Sequence, residues 1–343
     1  MIMAATNDAL ASGLARALAR HLGDQLGKHP EVTELARLTA GAANETWRFD
    51  AVGSGGGRIG CILRRSPASL GAEAAAAADS ETSLGKTGEA AVQQAARAAG
   101  VAAAEVLFVL DQDDGLGDGY VMTLLEGETI PRRILRDPEY AKLRTHLAYD
   151  CGRTLAQLHS VDPARLPALN RMGAAEQLER YGEIYRSFGQ PVPVFDLALR
   201  WLADHRREPS RMTLVHGDFR NGNLMVGPEG IRAVMDWELA HLGDPMEDLG
   251  WLCVTSWRFG EIDHPVGGFG QREDLFAGYE AAGGDRVDPD VVRYWEVFGT
   301  LKWGIMCMIM THAHLGGVTR SVEKAAIGRR VSETELDLLN LLT

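Results

Sequence analysis

Residues 214–224 read Leu-Val-His-Gly-Asp-Phe-Arg-Asn-Gly-Asn-Leu and carry the strongest functional signal in the chain. One residue separates His216 from Asp218, and four separate Asp218 from Asn223. Transfer of a phosphoryl group needs a carboxylate beside the acceptor hydroxyl and an oxygen ligand for magnesium nearby. A short loop with Asp and Asn at this spacing supplies both groups. We therefore predict that Asp218 is the catalytic base, that Asn223 is a metal ligand and that His216 holds the loop by hydrogen bonds.

A second carboxylate follows a short apolar segment. Asp236 comes directly after Ala233–Met235, eighteen positions beyond Asp218 (218 to 236). Magnesium usually takes one or two carboxylates together with phosphates and water. The protein-kinase catalytic loop has the same Asp and Asn spacing, and in kinases a later Asp binds the magnesium ions. A lone Asp more often caps a helix or turn, but the joint pattern predicts Asn223 and Asp236 as the Mg²⁺ ligands.

The composition is that of an ordinary globular protein. The chain has 343 residues, of which 45% are hydrophobic and 24% charged, and its net charge is −12. This charge argues against nucleic acid and against an anionic membrane as partners. The four cysteines form no CxxC pair, which favours a reducing cytoplasm over a zinc site or a disulfide framework. Leucines recur every four residues from Leu10 to Leu22 among charged residues, which is typical of an amphipathic helix and not of a signal peptide.

The hydrophobic pattern changes about one third of the way along the chain. The first third is strand-rich, with strands predicted at 59–65, 106–110 and 120–125 and one helix over Gly88–Gly100. Helical periodicity dominates the rest, around short apolar strands near residues 214, 224 and 233. We predict an α+β fold with an N-terminal nucleotide-binding lobe, residues 1–125, and a C-terminal catalytic and substrate-binding lobe, residues 126–343.

Three motifs taken together resemble one family. They are His-Gly-Asp at 216–218 with Asn223, Asp-Trp-Glu at 236–238, and Gly-Asp-Pro-Met-Glu-Asp-Leu at 243–249. The set looks like that of the aminoglycoside phosphotransferase (APH) and choline kinase-like family. Its context is most similar to the branch that includes the kinase-like region fused to some acyl-CoA dehydrogenases. The resemblance covers nearly the whole chain and implies a protein-kinase-like, two-lobed fold that uses ATP and Mg²⁺ to phosphorylate a hydroxyl of a small molecule.

The same resemblance implies a nucleotide site in the N-terminal lobe, with Arg where kinases carry Lys. Side chains alternate across a strand, so Ile62 and Arg64 share a face, and Arg65 would take the role of Arg64 only if the register slipped by one. Glu89 matches the helix glutamate that pairs with this cation, although a carboxylate at a helix start is also favoured by the helix dipole. The predicted nucleotide-binding residues are Gly41, Asn44, Thr46, Ile62, Arg64, Glu89 and the hinge residue Leu125.

The sequence leaves the phosphate acceptor open. The branch resembled points to a hydroxylated metabolite, such as a hydroxy acid or its acyl derivative, whereas an aminoglycoside antibiotic would suit the acidic charge. A nucleotide-binding pseudokinase is the alternative from another class, and a homodimer is compatible with the sequence. No Asp-Phe-Gly or Ala-Pro-Glu motif supports a protein substrate. Arg220 suits an anion contact as well as a salt bridge within its loop, and Lys302 is interpreted as a surface lysine.

Overall fold

The computed structural model describes residues 13–23, 30–38, 45–66, 84–111, 115–209, 211–318 and 320–343. The chain divides into two compact units. The N-terminal unit comprises residues 1–98, 102–126 and 237–239, and the C-terminal unit comprises residues 99–101, 127–236 and 240–343. An antiparallel sheet dominates the first unit and helices dominate the second, so the predicted α+β class is confirmed.

A five-stranded antiparallel sheet forms the N-terminal unit, in the order β1-β2-β3-β5-β4. The β2–β3 register places Thr46 opposite Arg64. A glycine-rich segment connects β2 to β3, and Gly56 there has a φ of 81°, a conformation that favours glycine. The strands are β1 (Glu31–Arg37), β2 (Glu45–Val52), β3 (Arg58–Ser66), β4 (Val106–Val109) and β5 (Asp118–Thr123).

The two faces of this sheet pack against different helices. Leu14 and Leu18 of the N-terminal helix α1 (residues 13–21) pack with Leu63 on one face. Ala90 of helix α2 (Gly85–Ala98) packs with Tyr120 on the other. Because successive side chains of a strand point to opposite faces, this packing fixes which side chains of β3 meet α2.

Helix α2 begins at Gly85, so the predicted start at Gly88 was wrong. The reason is a cap from elsewhere in the chain. The carboxylate of Asp118 accepts hydrogen bonds from the backbone N–H of Lys86 (2.5 Å) and of Thr87 (3.1 Å). It thereby satisfies donors that a helix start leaves without partners. Glu89 consequently lies beyond the first turn, where the helix dipole no longer accounts for a carboxylate.

The C-terminal unit is helical around two short β-ribbons, one pairing β6 (Thr213–Val215) with β9 (His241–Gly243) and the other β7 (Leu224–Gly227) with β8 (Gly230–Val234). Strand β9 and the last two helices were not predicted. Among the described residues, no helix combines the length and apolar character needed to cross a membrane. The helices are α3 (Pro131–Arg136), α4 (Ala141–Arg144), α5 (Leu147–His159), α6 (Ala174–Ser187), α7 (Pro193–Asp204), α8 (Met246–Cys253), α9 (Arg272–Ala281), α10 (Pro289–Leu315), α11 (Val322–Ile327) and α12 (Val331–Leu342).

Glycines allow α5 and α9 to approach closely. A Cβ atom added at Gly152 would lie 2.1 Å from the carbonyl oxygen of Leu275, and one added at Gly278 would lie 2.0 Å from that of Tyr149. Neither position has room for a side chain. The close packing brings the last residue of α5, His159, against Tyr279 of α9, and this pair supports the candidate site described below.

We expect Gly152→Ala to destabilise the protein. Alanine is intrinsically the better helix former by about 1 kcal/mol, but here its methyl group would collide with backbone atoms of α9. We predict that the free energy of unfolding falls by about 1–3 kcal/mol, measured by urea denaturation. Gly55→Ala is the control, since a Cβ at Gly55 would meet no described atom within 4 Å. Equal midpoints for Gly152→Ala and the wild type would contradict the close packing.

Candidate active site

The motif predicted to carry the chemistry, residues 216–223, forms the loop between β6 and β7. Gly217 and Gly222 have φ values of 76° and 112°, in the region that favours glycine. Inside the loop, the side-chain amide of Asn221 donates to the carbonyl oxygen of Gly267 at 2.8 Å. Left-handed turns and this buried hydrogen bond fix the backbone from which the functional side chains project.

Asp248 of α8 holds the start of the loop. Its carboxylate accepts from the backbone N–H of His216 (2.8 Å) and of Gly217 (3.0 Å), and it lies 3.1 Å from Nε2 of His159. His159 in turn lies 3.0 Å from the hydroxyl of Tyr279. Burial alone would raise the pKa of Asp248, but the hydrogen bonds from the side chain of His159 and from the backbone N–H of His216 hold that pKa below its ordinary value. The loop is therefore anchored on a buried, ionised carboxylate.

His216 links Asp218 to the segment that carries Asp236. Its Nε2 lies 3.0 Å from the carbonyl oxygen of Met235, and its Nδ1 accepts from the backbone N–H of Asp218 at 3.2 Å. These two partners assign the proton of the neutral ring to Nε2. The histidine thus holds the loop by hydrogen bonds, as the sequence analysis predicts.

The carboxylate of Asp218 is fixed by three donors. Oδ1 accepts from Nε of Arg220 at 2.9 Å and from the indole N–H of Trp251 at 2.8 Å. Oδ2 accepts from Nδ2 of Asn223 at 2.6 Å. The salt bridge of Arg220 within the loop, one of its two predicted roles, is therefore present. These three hydrogen bonds fix the orientation of the carboxylate.

Asn223 and Asp236 present the hard oxygen donors that Mg²⁺ requires. The Nδ2 group of Asn223 donates to the carbonyl oxygen of Asp218 (2.9 Å) as well as to its carboxylate, which leaves Oδ1 as the acceptor end of the amide. The backbone N–H of Met235 donates to the carbonyl oxygen of Asn223 at 2.9 Å. Asp236 is the next residue in the chain, so this hydrogen bond keeps it close to Asn223. One carboxylate and one amide oxygen suit a magnesium ion whose other ligands are phosphates and water.

The backbone of Asp236 is strained. Its φ of 66° lies in the left-handed region, which is uncommon for a residue other than glycine and costs about 1–3 kcal/mol. Such strain is concentrated at functional sites.

The described residues contain no group of three or more His, Cys, Asp or Glu arranged to hold a metal. A metal here would therefore depend on Asn223 and on oxygen atoms of a bound substrate.

Lys302 is buried beside the loop, so its interpretation as a surface lysine was wrong. The residue is 4% exposed, and its Nζ lies 3.3 Å from the carbonyl oxygen of Gly217 and 3.6 Å from the carboxylate of Glu247. Burial alone would lower the pKa of Lys302, but the electrostatic effects of Tyr181 and Glu247 raise it above its ordinary value. The amine is charged, and folding supplies the partners that its local sequence does not reveal.

Three tryptophans pack together near Asp218, and two of them, Trp251 and Trp257, were missed in the sequence. The ring of Trp251 lies 5.2 Å from that of Trp257, which lies 4.9 Å from that of Trp303, between ring centres. The guanidinium carbon of Arg220 lies 4.6 Å from the centre of the Trp257 ring. Tryptophan at helical spacing is more often core than ligand site, so no local signal marked these residues.

In the N-terminal unit, Arg64 and Glu89 come together. Nη2 of Arg64 lies 3.6 Å from a carboxylate oxygen of Glu89. Arg65 points to the opposite face, where it donates to Glu45 (2.8 Å) and to the carbonyl oxygen of Leu116 (3.0 Å). The register therefore has no slip, and Arg65 is engaged elsewhere.

Lys86 is a buried cation that the sequence analysis overlooked. It forms an ion pair with the other carboxylate oxygen of Glu89, three residues further along α2. Because the predicted helix began too late, Lys86 was not recognised as a neighbour of Glu89 on the helix. Glu89 thus lies between two cations, Lys86 and Arg64.

The remaining predicted nucleotide-binding residues have separate outcomes. Ile62 is buried in β3, two residues before Arg64 and on its face. Leu125 is half-buried and follows β5 by two residues. Gly41 and Asn44 lie outside the described residues.

Comparison with known proteins agrees with these observations. The family described as "Phosphotransferase enzyme family" (APH) matches residues 34–287 of the chain. Acyl-CoA dehydrogenase family member 10 of Mus musculus is 29% identical over 251 residues, which amount to 70% of this chain and 22% of that protein. The chain therefore spans only about a fifth of the length of this relative.

Solved structures share the fold. A candidate aminoglycoside phosphotransferase from Ralstonia eutropha superposes with a TM-score of 0.71 at 22% identity, over 95% of this chain and 97% of that one. A thermostable mutant of the aminoglycoside phosphotransferase APH(4)-Ia, in a ternary complex with AMP-PNP and hygromycin B, gives 0.61 at 16% identity, over 95% and 98%. The predicted protein-kinase-like fold is thereby confirmed.

We predict that Asp248→Asn weakens folding in a pH-dependent way. A carboxylate whose pKa is lowered in the folded state stabilises the protein above its unfolded-state pKa, near 3.9, and that stability is lost as the pH falls through the folded-state value. At pH 7 the variant should lose about 3–5 kcal/mol of unfolding free energy, since a buried pair is broken. The deficit should shrink below about pH 4, in urea denaturation across pH.

Asp263→Asn is the matched control, because Asp263 is exposed on a loop. Its unfolding free energy should follow that of the wild type at every pH. A deficit in Asp248→Asn that is constant from neutral to acidic pH would show that the charge of Asp248 is not what stabilises the loop.

Proposed function

This chain belongs to the phosphotransferase enzyme family, and on that premise we propose that it transfers the γ-phosphoryl group of ATP to a hydroxyl group of a small molecule. The proposal is carried by one observation, the 2.6 Å hydrogen bond between Asp218 and Asn223 on a loop that His216 ties to Met235, the neighbour of Asp236. This observation supports the proposal because one backbone network joins the residues assigned as proton acceptor and as oxygen ligands, which is the set that phosphoryl transfer requires.

In the proposed mechanism, Asp218 orients the acceptor hydroxyl and takes its proton as the oxygen attacks phosphorus. Asn223 and Asp236 hold magnesium through Oδ1 and the carboxylate. The ion, when bound, supplies the positive charge that neutralises charge developing on the phosphoryl oxygens. Fixed groups of this kind accelerate the reaction mainly by position and electrostatics, because they need no reorganisation when charge develops.

The N-terminal unit supplies the nucleotide-binding groups in this proposal. Arg64 contacts the phosphates, and Glu89 orients it. Lys86 holds the other oxygen of Glu89, so the carboxylate that orients Arg64 is neutralised from two sides. Ile62 packs on the adenine, and the backbone near Leu125 meets its polar edge. Gly41, Asn44 and Thr46 are assigned to the turn that covers the phosphates.

The proposed acceptor is a hydroxylated metabolite, such as a hydroxy acid or its acyl derivative. The groups around Asp218 support this choice, because Arg220 and the buried Lys302 provide positive charge and the guanidinium of Arg220 is partly exposed. An aminoglycoside is a polycation and would be opposed by these cations, although the net charge of −12 is compatible with it. The four cysteines are unpaired, which supports the proposed cytoplasmic location.

Asp218→Asn should abolish transfer while ATP binding persists. The amide cannot take the proton, so we expect the rate of ADP formation to fall by about 10²–10⁴-fold. The assay is ADP release with a panel of hydroxy acids, other hydroxylated metabolites and aminoglycosides, and fluorescent nucleotide titration measures binding. Asp263→Asn is the control and should match the wild type in both measurements. Nucleotide binding by the wild type without transfer to any acceptor would favour a regulatory nucleotide-binding protein.

Asp236→Ala should remove the magnesium-dependent part of nucleotide affinity. In the wild type we expect Mg²⁺ to tighten ADP binding, and in the variant the gain should fall by about tenfold, which corresponds to about 1.4 kcal/mol. Calorimetric titration of ADP at several Mg²⁺ concentrations measures this change, and Asp263→Ala is the control. An identical Mg²⁺ dependence in Asp236→Ala and the wild type would remove Asp236 from the metal site.

A further inference from the structure

One oxygen of the proposed catalytic carboxylate, Oδ1 of Asp218, already has donors in both directions from which an acceptor hydroxyl could approach it. Oδ1 of Asp218 accepts from Arg220 (2.9 Å) and from Trp251 (2.8 Å), and a carboxylate oxygen offers about two lone-pair directions. Oδ2 accepts from Asn223 at 2.6 Å. A hydroxyl that gives its proton to Oδ1 must therefore replace one of the two donors on that oxygen.

Trp251 is the donor that stays. It is 2% exposed and lies within α8, the helix that also anchors the catalytic loop. The ammonium group of Lys302 lies 4.9 Å from the centre of its ring, and Trp257 packs 5.2 Å away. Moving the Trp251 indole would disturb a packed aromatic cluster and uncover a buried charge.

Arg220 is the donor that can leave. Its side chain is 25% exposed, it projects from a loop, and it holds Asp218 by the single Nε donor instead of a two-pronged contact. Its one other hydrogen bond, from Nη1 to the carbonyl oxygen of Asn221, is long at 3.5 Å. Within the described part of the chain, Nη2 makes no hydrogen bond, so the guanidinium still has donors to offer to an anion.

The surroundings of Arg220 leave room for such a movement. The guanidinium carbon lies 4.6 Å from the centre of the Trp257 ring, within the range of a cation–π contact. A Cβ atom added at Gly222 would lie 2.8 Å from Nη1 of Arg220, so the absence of a side chain there gives the guanidinium its clearance. These contacts are compatible with a guanidinium that turns away from Asp218 and keeps its contact with Trp257.

We propose that Arg220 covers Oδ1 of Asp218 until an acceptor bearing an oxyanion, either a carboxylate or a phosphate, draws the guanidinium onto itself. The substrate class is then a hydroxylated anion, and its charge uncovers the base that its hydroxyl needs. This inference rests on the function proposed above. It assigns Arg220 two successive partners, the base first and the acceptor second.

Once Asp218 is uncovered, the reaction is an ordinary phosphoryl transfer. The acceptor oxygen forms a bond to the γ-phosphorus, and the bond between that phosphorus and the bridging oxygen of ADP breaks. The proton of the hydroxyl passes to Asp218 and from there to solvent. Water can take the place of the acceptor, with inorganic phosphate as the product, so ATP hydrolysis reports how accessible the base is without any knowledge of the natural acceptor.

The test compares ATP hydrolysis in Arg220→Gln and in the wild type, with Mg²⁺ and without an acceptor. We expect the variant to hydrolyse ATP about tenfold faster, because water no longer has to displace a charge-assisted hydrogen bond from the base. Arg153→Gln, which removes an exposed arginine of α5, is the matched control and should equal the wild type. Arg220→Lys should give a smaller increase in the rate of ATP hydrolysis. If urea denaturation shows that Arg220→Gln is unfolded, Arg220→Lys takes its place in the comparison.

A second measurement uses three alcohols that share a three-carbon skeleton. Glycerate carries a carboxylate, glycerol 3-phosphate carries a phosphate, and glycerol carries neither. In the wild type, one or both anions should raise ATP consumption more than glycerol does, and the anion that does so identifies the oxyanion recognised. In Arg220→Gln, the advantage of the anion should disappear.

Three results would overturn the inference. Slower or unchanged hydrolysis in the Arg220 variants would mean that Arg220 assists transfer or takes no part in covering the base. Equal effects of the three alcohols on the wild type would refute displacement by an oxyanion. If the wild type turned over ATP under no condition and with no acceptor of the wider panel, the proposed function itself would fail, and this inference with it.

Discussion

The buried carboxylate of Asp248 is the constraint on which the site depends. It accepts hydrogen bonds from the backbone N–H groups of His216 and Gly217. These two residues directly follow β6, where the strand pairing has ended. A buried N–H without a partner costs about 1–3 kcal/mol, so the position of the Asp248 carboxylate determines where this part of the backbone lies. Through His159 and Tyr279 the same carboxylate is joined to α5 and α9. The geometry of the loop formed by residues 216–223 therefore depends on the close packing of α5 and α9 at Gly152.

One short helix, α8, carries three residues that support Asp218 and its loop. Glu247 accepts from Gln177 (2.5 Å) and faces Lys302, Asp248 anchors the loop, and Trp251 donates to the carboxylate of Asp218. These three residues fall within two turns of the same helix. Because a helix moves as a rigid element, α8 holds the loop and the Asp218 side chain that projects from it in fixed positions relative to each other. This explains how a site formed from a loop keeps fixed distances.

The local motif and the strand alternation were enough to predict part of this arrangement. The spacing of Asp218 and Asn223 is short, so their contact follows from one loop, and the opposite directions of Arg64 and Arg65 follow from the pleat of β3. The overlooked features depend on partners that are distant in sequence. Asp118 caps α2 from a neighbouring strand and thereby brings Lys86 into the helix.

Lys302 shows the same limit of sequence reasoning. A lysine among apolar residues suggests an exposed ammonium group, because a buried charge without a partner is very costly. The carboxylate of Glu247 and the carbonyl oxygen of Gly217 remove that cost, and both come from other parts of the chain. Trp251 likewise reaches Asp218 across 33 positions, a separation that no helix or strand period spans.

The left-handed backbone of Asp236 constrains how this protein can diverge. Asparagine and glycine tolerate such a φ about as well as aspartate does, so a single base change could supply a substitute that folds as before. Neither substitute carries the negative charge. If Asp236 holds the metal as proposed, a duplicated copy of the gene therefore has an easy route to losing its chemistry while it keeps its shape, and catalytically silent descendants are to be expected at this position first.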